Sequence, residues 1–359
     1  MSRLLRKFRS GMAIAAMAVA ALSGSAQAQD AAWAGSEESA KAVGELYEAA
    51  KKAGQTEVVV YGGYSAIYKP IWEVFAERFP GIVVVPNPAS GAALVSKLDA
   101  EFASGQHGGD VLMAGMTELL STVAQDRADA FTPPNLGALP ARYVDPDGRF
   151  VIQFADVFGT VYNTTKMTEA DLPDEAKDLV DPKYKGLVLD NPLAGGASAL
   201  CWIELHNSGL LDPETMRGIR DNATIVPSLT PYYANLTTGS VNMLSWGSFA
   251  RYLKLKASGA PLAFRATPGM VVPLYGGTAI LKGAPNKEAA QLFQAWFVTP
   301  EAQEALISKG SSYPLLPGVE TPADWPKLQP LVDALKTISP ADYMDVRGKF
   351  EAAVRSALE

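Results

Sequence analysis

The chain has 359 residues, 48% of them hydrophobic, with 31 Lys and Arg against 38 Asp and Glu. That acidic balance argues against nucleic acid as a partner, which needs clustered positive charge. One cysteine, Cys201, excludes an intramolecular disulfide, and the two histidines, His107 and His206, are far apart with no local metal-ligand or triad spacing.

The first 28 residues read as an export signal. Arg3, Arg6, Lys7 and Arg9 form a basic leader, residues 12–22 an apolar run, and Ala26-Gln27-Ala28 a small-x-small cleavage site, so the mature chain is expected from Gln29. The run is well short of the roughly 20 residues that span a bilayer. No later segment is long and apolar enough to cross one, and no cysteine adjoins the cleavage site to take a lipid. The expectation is a periplasmic protein with no direct membrane insertion. Without the leader's four basic residues, 27 Lys and Arg face 38 Asp and Glu, a net charge near −11. The remaining length predicts two domains, at very roughly 150 residues each.

After a helix expected over 37–53, a strand–helix repeat begins. Residues 58–61, 82–85 and 110–113 are strand-like apolar runs. Between the first two, Ile67, Ile71, Val74, Phe75 and Phe79 lie three or four apart, one helical face for packing on a sheet, and Phe79-Pro80-Gly81 stops that helix. Leu94, Leu98 and Phe102 repeat the pattern behind Ser90, a good N-cap. Alternation of this kind implies a parallel sheet covered on both faces. Residues 126–149, rich in Pro, Gly and Asp, read as irregular surface, and 150–162 as a strand crossing into a second lobe.

There the pattern restarts, with strands expected at 187–189, 224–226 and 241–245 and helices at 198–206 and 232–238. Residues 269–281 read as a return strand carrying a Gly pair. Helices follow from Asn286, from Thr299-Pro300-Glu301 and from the capping box at 339–342. Cys201, in an apolar run, is expected as a buried small hydrophobe, and His107 as a solvated loop residue.

In two-lobed α/β proteins ligands sit at the carboxyl ends of strands, between the lobes. Those ends supply the candidate ligand-binding residues: Tyr61, Gly63, Tyr64 and Ser65; Ser90, Gly91 and Ala92; Gly115; Gly196 and Ser198; Trp246 and Ser248; and Tyr275. Tyr233, in the opening turn of a helix behind Thr230-Pro231, either packs or lines the cleft. The helix starts near Ser90 and Ser198 suit an anion, through free N–H groups and the helix dipole. The tyrosines and Trp246 would add apolar walls and donors. No nucleophile–base pair and no dense acidic cluster point to catalysis or a metal, and no cofactor is expected.

Several stretches together resemble the periplasmic solute-binding proteins of ABC importers, in particular the iron(III)/thiamine/phosphonate branch of the two-lobed type II class. They are residues 58–63, 75–85, 90–115, 159–165, 181–196 (DPKYKGLVLDNPLAGG), 276–285 (GGTAILKGAP) and 289–310. The resemblance implies an α/β periplasmic-binding-protein type II fold, with mixed sheets flanked by helices and a ligand cleft at the hinge. Residues 29–159 with 276–359 would form lobe 1, and 160–275 lobe 2. It also implies a monomer that hands a small-molecule ligand to an inner-membrane permease with its ATPase. The family's iron binders carry adjacent tyrosines in a run like NxYYxxR; in the matching run, 244–251, those positions are Gly247 and Ser248. The expected ligand is therefore a small organic anion such as a phosphonate or phosphorylated compound. Iron(III) or a thiamine- or polyamine-type cation is the alternative, and a periplasmic ligand sensor or hydrolytic enzyme on the same scaffold the alternative of another class.

Overall fold

Two long strands carry the architecture. In the computed structural model, which describes residues 31–358 except 90, 194–196, 334, 337 and 339–341, β5 (Val151–Asn163) and β10 (Val272–Leu281) lie antiparallel at the centre of an 11-stranded mixed sheet. The expected export signal, and most of the capping box at 339–342, lie outside the described residues.

Beyond β10 come β3 (Val111–Gly115), β1 (Glu57–Tyr61) and β2 (Val83–Asn87), parallel to one another. Beyond β5 come β8 (Met243–Ser248), β6 (Leu187–Asp190) and β7 (Ala223–Val226), again parallel. Short strands β4 (Ala128–Asp129) on β10, and β9 (Leu262–Arg265) and β11 (Tyr313–Pro314) on β5, complete the sheet. Each parallel triplet, with its helices, builds one lobe. The sheet is thus mixed rather than all parallel, because both crossover strands run against their neighbours.

Period-two alternation along β5 divides the core. Phe154 packs with Trp72, Phe75, Phe293 and Phe297 in the first lobe, and Phe158 with Trp202, Trp246 and Leu189 in the second. Ala155 and Val157 face a third cluster with Tyr143, Phe249 and Tyr313 on the opposite side. The helix Lys69–Arg78 has Pro70 in its first turn, where the missing N–H costs nothing, and buries Ile71, Trp72 and Phe75. Asp110, fully buried at the start of β3, accepts from Val59 N (2.7 Å), Asn286 N (2.7 Å) and Asn286 Nδ2 (3.0 Å), tying β1 to the helix after β10.

The last helix, Tyr343–Leu358, expected with the first lobe, buries Phe350, Val354 and Ala357 in the cluster of the second. Arg220 Nη1 donates to Ala357 O at 3.0 Å there. Its first residue reaches back, with the Tyr343 hydroxyl 2.9 Å from Thr117 Oγ1 in the first lobe. Cys201 is buried, as expected; His107 packs edge-on against Phe102 at 4.8 Å rather than standing free.

Candidate functional site: the crevice where the strands end

The inner strand of each lobe stops on the crossover pair. Gly115, the last residue of β3, is opposite Gly276, and Ser248, the last of β8, is opposite Phe158. Between them lie the pairs Leu274–Asp156 and Tyr275–Ala155. The carboxyl ends of both triplets therefore converge on a few residues of β5 and β10, the place at which an open α/β sheet takes its ligand.

Asp156 and Glu118 both act on the Tyr64 phenol at this convergence, and Glu204 stands on a helix packed against β10. Asp156, a lone acid in an apolar strand, accepts from Ser312 Oγ at 2.7 Å and from the Tyr64 phenol; Ser312 in turn is 2.8 Å from the Tyr68 hydroxyl. Burial pushes the Asp156 carboxyl up, and the two hydroxyl donors hold it back. Glu118 lies in the first turn of the helix Met116–Ala124, so its carboxylate folds back on its own N–H, near the positive end of the helix. A Cβ on Gly115 would be 3.7 Å from Glu118 Oε2 and 3.9 Å from Tyr275 O, which puts this carboxylate at the end of β3. Burial raises it too, with Arg347 opposing. Glu204, on the helix Ala197–Asn207, is pushed up to about 7 by burial alone.

Tyrosines fill the space between. Burial lifts Tyr275 well above the usual range, next to Tyr143 at a ring distance of 5.6 Å. It lifts Tyr343 to about 12, and Glu204 and Glu118 both act on that phenol. Arg142 lies over the Tyr143 ring at 4.7 Å. The end of β7 adds an open recess of about 480 Å³, lined by Val226, Pro227, Ser228, Pro231, Tyr232 and Asn235.

Of the residues expected to bind ligand, Tyr64, Gly115 and Tyr275 are at this crevice. Tyr61 is not a wall. It is 1% exposed, its hydroxyl donates to Glu101 Oε1 at 2.7 Å, its ring lies under Lys97, and Gly108 and Gly109 press against it. Ser65 is also structural, fully buried, donating to Gly62 O at 2.8 Å while its carbonyl accepts from Trp72 Nε1 at 2.6 Å. Gly63 caps the turn Tyr64–Ile67 and is half-buried. Gly91, Ala92 and Ser198 lie on helix backbone, Gly91 with φ +56°. Ser90 and Gly196 fall outside the described residues.

In the second lobe Tyr233 is buried, and its hydroxyl accepts from Ser248 N at 2.6 Å. Ser248 Oγ caps the next helix by accepting from Arg251 N at 3.3 Å. A Cβ on Gly247 would meet Val161 Cγ2 at 2.7 Å and the Tyr233 hydroxyl at 3.2 Å, so this position has no room for a tyrosine. Trp246, expected as a contact, is 1% exposed and packs at a tilt of 59° against Trp202, with ring centroids 5.1 Å apart. It is still unusual: its φ is +57°, rare for a bulky residue, and the indole N–H groups of both tryptophans and Ser245 Oγ are buried without a hydrogen-bond partner.

Sequence reasoning missed Asp156, Glu118, Glu204 and Tyr343. A usable signal existed for two of them, since Asp156 and Glu204 are single acids inside apolar runs (FADVF and CWIEL).

Comparison with known proteins agrees with this architecture. Residues 60–304 match the family described as bacterial extracellular solute-binding protein. The major ferric iron-binding protein of Neisseria meningitidis serogroup B is 29% identical over 175 residues, 44% of this chain and 50% of that protein. The Fe(3+)-binding periplasmic protein of Serratia marcescens is 25% identical over 232 residues, 59% and 65% of the two chains. The chain thus spans about half the length of the ferric relatives from Neisseria that it matches. Among solved structures, iron-bound HitA from Pseudomonas aeruginosa superposes with a TM-score of 0.72 at 20% identity, covering 84% of this chain and 99% of that one. AfuA from Actinobacillus pleuropneumoniae, with fructose-6-phosphate bound, gives 0.69 at 19% identity, covering 84% and 98%. These two show the two-lobed periplasmic-binding-protein fold. With the matched span exceeding half its length, the chain belongs to the bacterial extracellular solute-binding protein family.

Proposed function

We propose that the protein is a periplasmic receptor that captures a small organic solute in the crevice and delivers it to an inner-membrane ABC permease with its ATPase. The lobes would be 29–159 with 276–342, and 160–275 with the last helix. The observation that carries this reading is the convergence of β3 and β8 on the crossover pair, with buried polar groups beside the end of β8 left without a partner. A solute touching both lobes would favour the closed arrangement by its differential contacts.

Iron(III), which the names of several relatives specify, is a hard cation that wants several phenolate, carboxylate or imidazole donors. Here Gly247 and Ser248 stand at the tyrosine positions, and among the described residues no three His, Cys, Asp or Glu side chains are grouped to hold a metal. An organic anion is the second reading. The unpartnered indole N–H groups of Trp202 and Trp246 favour it, since each can donate to a phosphoryl or carboxylate oxygen.

Thermal-shift measurements on the mature protein, with iron(III), phosphonates, sugar phosphates, thiamine and polyamines, test the proposal. The expected result is a rise of several degrees with one organic class, from ligand binding to the folded state alone. A rise with iron(III) only, accompanied by a tyrosinate charge-transfer colour, would sink it.

A further inference from the structure

The sheet crosses between the lobes along β5 and β10, and the last helix, Tyr343–Leu358, makes a third link of a different kind. A strand can bend where it crosses, whereas a 16-residue helix, about 24 Å long, moves as a rod. Its far end belongs to the second lobe. Phe350, Val354 and Ala357 are buried there in one cluster with Trp202, Met216 and Ile219. The His206 ring lies 5.8 Å from that of Phe350, and Arg220 Nη1 donates to Ala357 O at 3.0 Å.

Its near end meets the first lobe. The Tyr343 hydroxyl is 2.9 Å from Thr117 Oγ1, a bond between residues 226 apart in the chain, and Tyr343 is 4% exposed. Thr117 lies in the first turn of the helix Met116–Ala124, which follows β3 directly and is fixed to the first lobe by buried Leu119 and Leu120. Among the described residues neither hydroxyl has another hydrogen-bond partner. The bond therefore serves no local turn or helix cap. Whether it forms depends on where the two lobes stand.

We propose that Tyr343 and Thr117 form a clasp between the lobes, through which the last helix sets how much of the protein stands with its lobes together before any solute arrives. Rotation of the second lobe carries the whole helix with it and parts the two hydroxyls, so the bond stabilises the arrangement in which they meet over any more open one. The apparent affinity for a solute that needs both lobes scales with that populated fraction. Tyr343 and Thr117 are thus positioning residues, acting on capture without touching the solute. Such a clasp rests on the hinged receptor proposed above, but its strength can be read without a solute.

Pulsed electron resonance on the full mature chain tests this, with nitroxides at Glu77→Cys in the first lobe and Glu214→Cys in the second. Both positions are exposed, and Cys201 is buried away from the label. The readout is the ratio of open to closed inter-lobe distances. Tyr343→Phe and Thr117→Val should each raise that ratio by roughly two- to tenfold, the effect of one neutral hydrogen bond on a two-state balance. The double variant should go no further than the larger single change, because both remove the same bond. Thr117→Ser, which keeps the hydroxyl, should keep the wild-type ratio. If Thr117→Val fails to fold, Tyr343→Phe beside Thr117→Ser carries the test. A ratio that neither variant moves overturns the clasp and leaves the receptor reading standing. Changes that add in the double variant, or a Thr117→Ser change as large as that of Thr117→Val, assign the effect to packing and overturn it too. One fixed distance in every form, with or without the solutes of the thermal-shift panel, overturns the hinged receptor as well.

Discussion

At the end of β1, Tyr61, Ser65 and Trp72 each give their polar group to a neighbour, whereas at the end of β8 Ser245 and Trp246, with Trp202 beside them, keep three buried polar atoms without a partner. The same pseudo-symmetric position is thus satisfied in one lobe and unsatisfied in the other. Buried polar atoms without partners cost about 1–3 kcal/mol each, and a bulky residue at positive φ adds about 1–3 kcal/mol. A fold keeps such costs where something else uses them. On the proposed function, the first lobe's wall would serve as the abutment and the second lobe's wall as the place where the solute is read.

The abutment can be broken at one residue. Gly62 has φ +119°, and a Cβ there would sit 2.0 Å from Met113 O, a backbone atom of the adjacent β3. Gly62→Ala should therefore cost about 3–5 kcal/mol or abolish folding, as large losses do when strain and overpacking combine. In the second lobe Gly186, at φ +86° with open space around its missing Cβ, should cost only about 1–2 kcal/mol on changing to Ala. Urea midpoints of the two variants measure the difference, and equal losses would remove the contrast in rigidity.

The second lobe should become more stable when its unmet charge is removed. Glu204 is raised in the folded protein to about 7, from an ordinary value of 4.5. Between those values the folded state binds more protons than the unfolded one, so stability falls as pH rises through this window, and the penalty is complete above 7. The shift corresponds to about 3 kcal/mol. Glu204→Gln should therefore raise the stability of the ligand-free protein by about that amount at pH 8, and by almost nothing at pH 4.5. Parallel wild-type and mutant curves across that range would mean the carboxyl has a partner after all, and the comparison between the walls would lose its strongest member.

How far these walls could be read from the chain differs in the same way. The alternating segments, the crossover at 150–162 and the glycine pair at Gly276 and Gly277 are local patterns, so the strand ends were legible. Which side chain stands in the crevice was not. Tyr61 follows a strand and looks like a ligand contact, but its partner Glu101 is forty residues away, and only folding shows that the ring points into the core. Glu204 stands out as a single acid in an apolar run, but that its carboxyl is withdrawn from water and acts on Tyr275 and Tyr343 is seen only in the fold. Gly247 was legible as a departure from a tyrosine pair; that Tyr233 and Val161 occupy the space beside it was not.

The smallest effects offer the most direct comparison, because the same kind of change is made to both walls. Tyr61→Phe removes a hydroxyl that donates to Glu101, leaving that carboxylate with Lys97 at 3.1 Å and Gly108 N at 3.2 Å. Loss of one partly buried hydrogen bond to a charged acceptor should cost about 1–2 kcal/mol. Trp246→Phe removes an N–H that has no partner, so the gain from losing it offsets the smaller ring's lost packing, and the net change should stay within about 1 kcal/mol. Chemical denaturation of the ligand-free forms reads both values. The same Trp246→Phe protein should then bind an oxygen-bearing solute several-fold more weakly, a loss that no change in stability would account for. If instead Trp246→Phe destabilised the ligand-free protein as much as Tyr61→Phe and left affinity untouched, Trp246 would be a core residue like Tyr61, and its positive φ would serve packing alone.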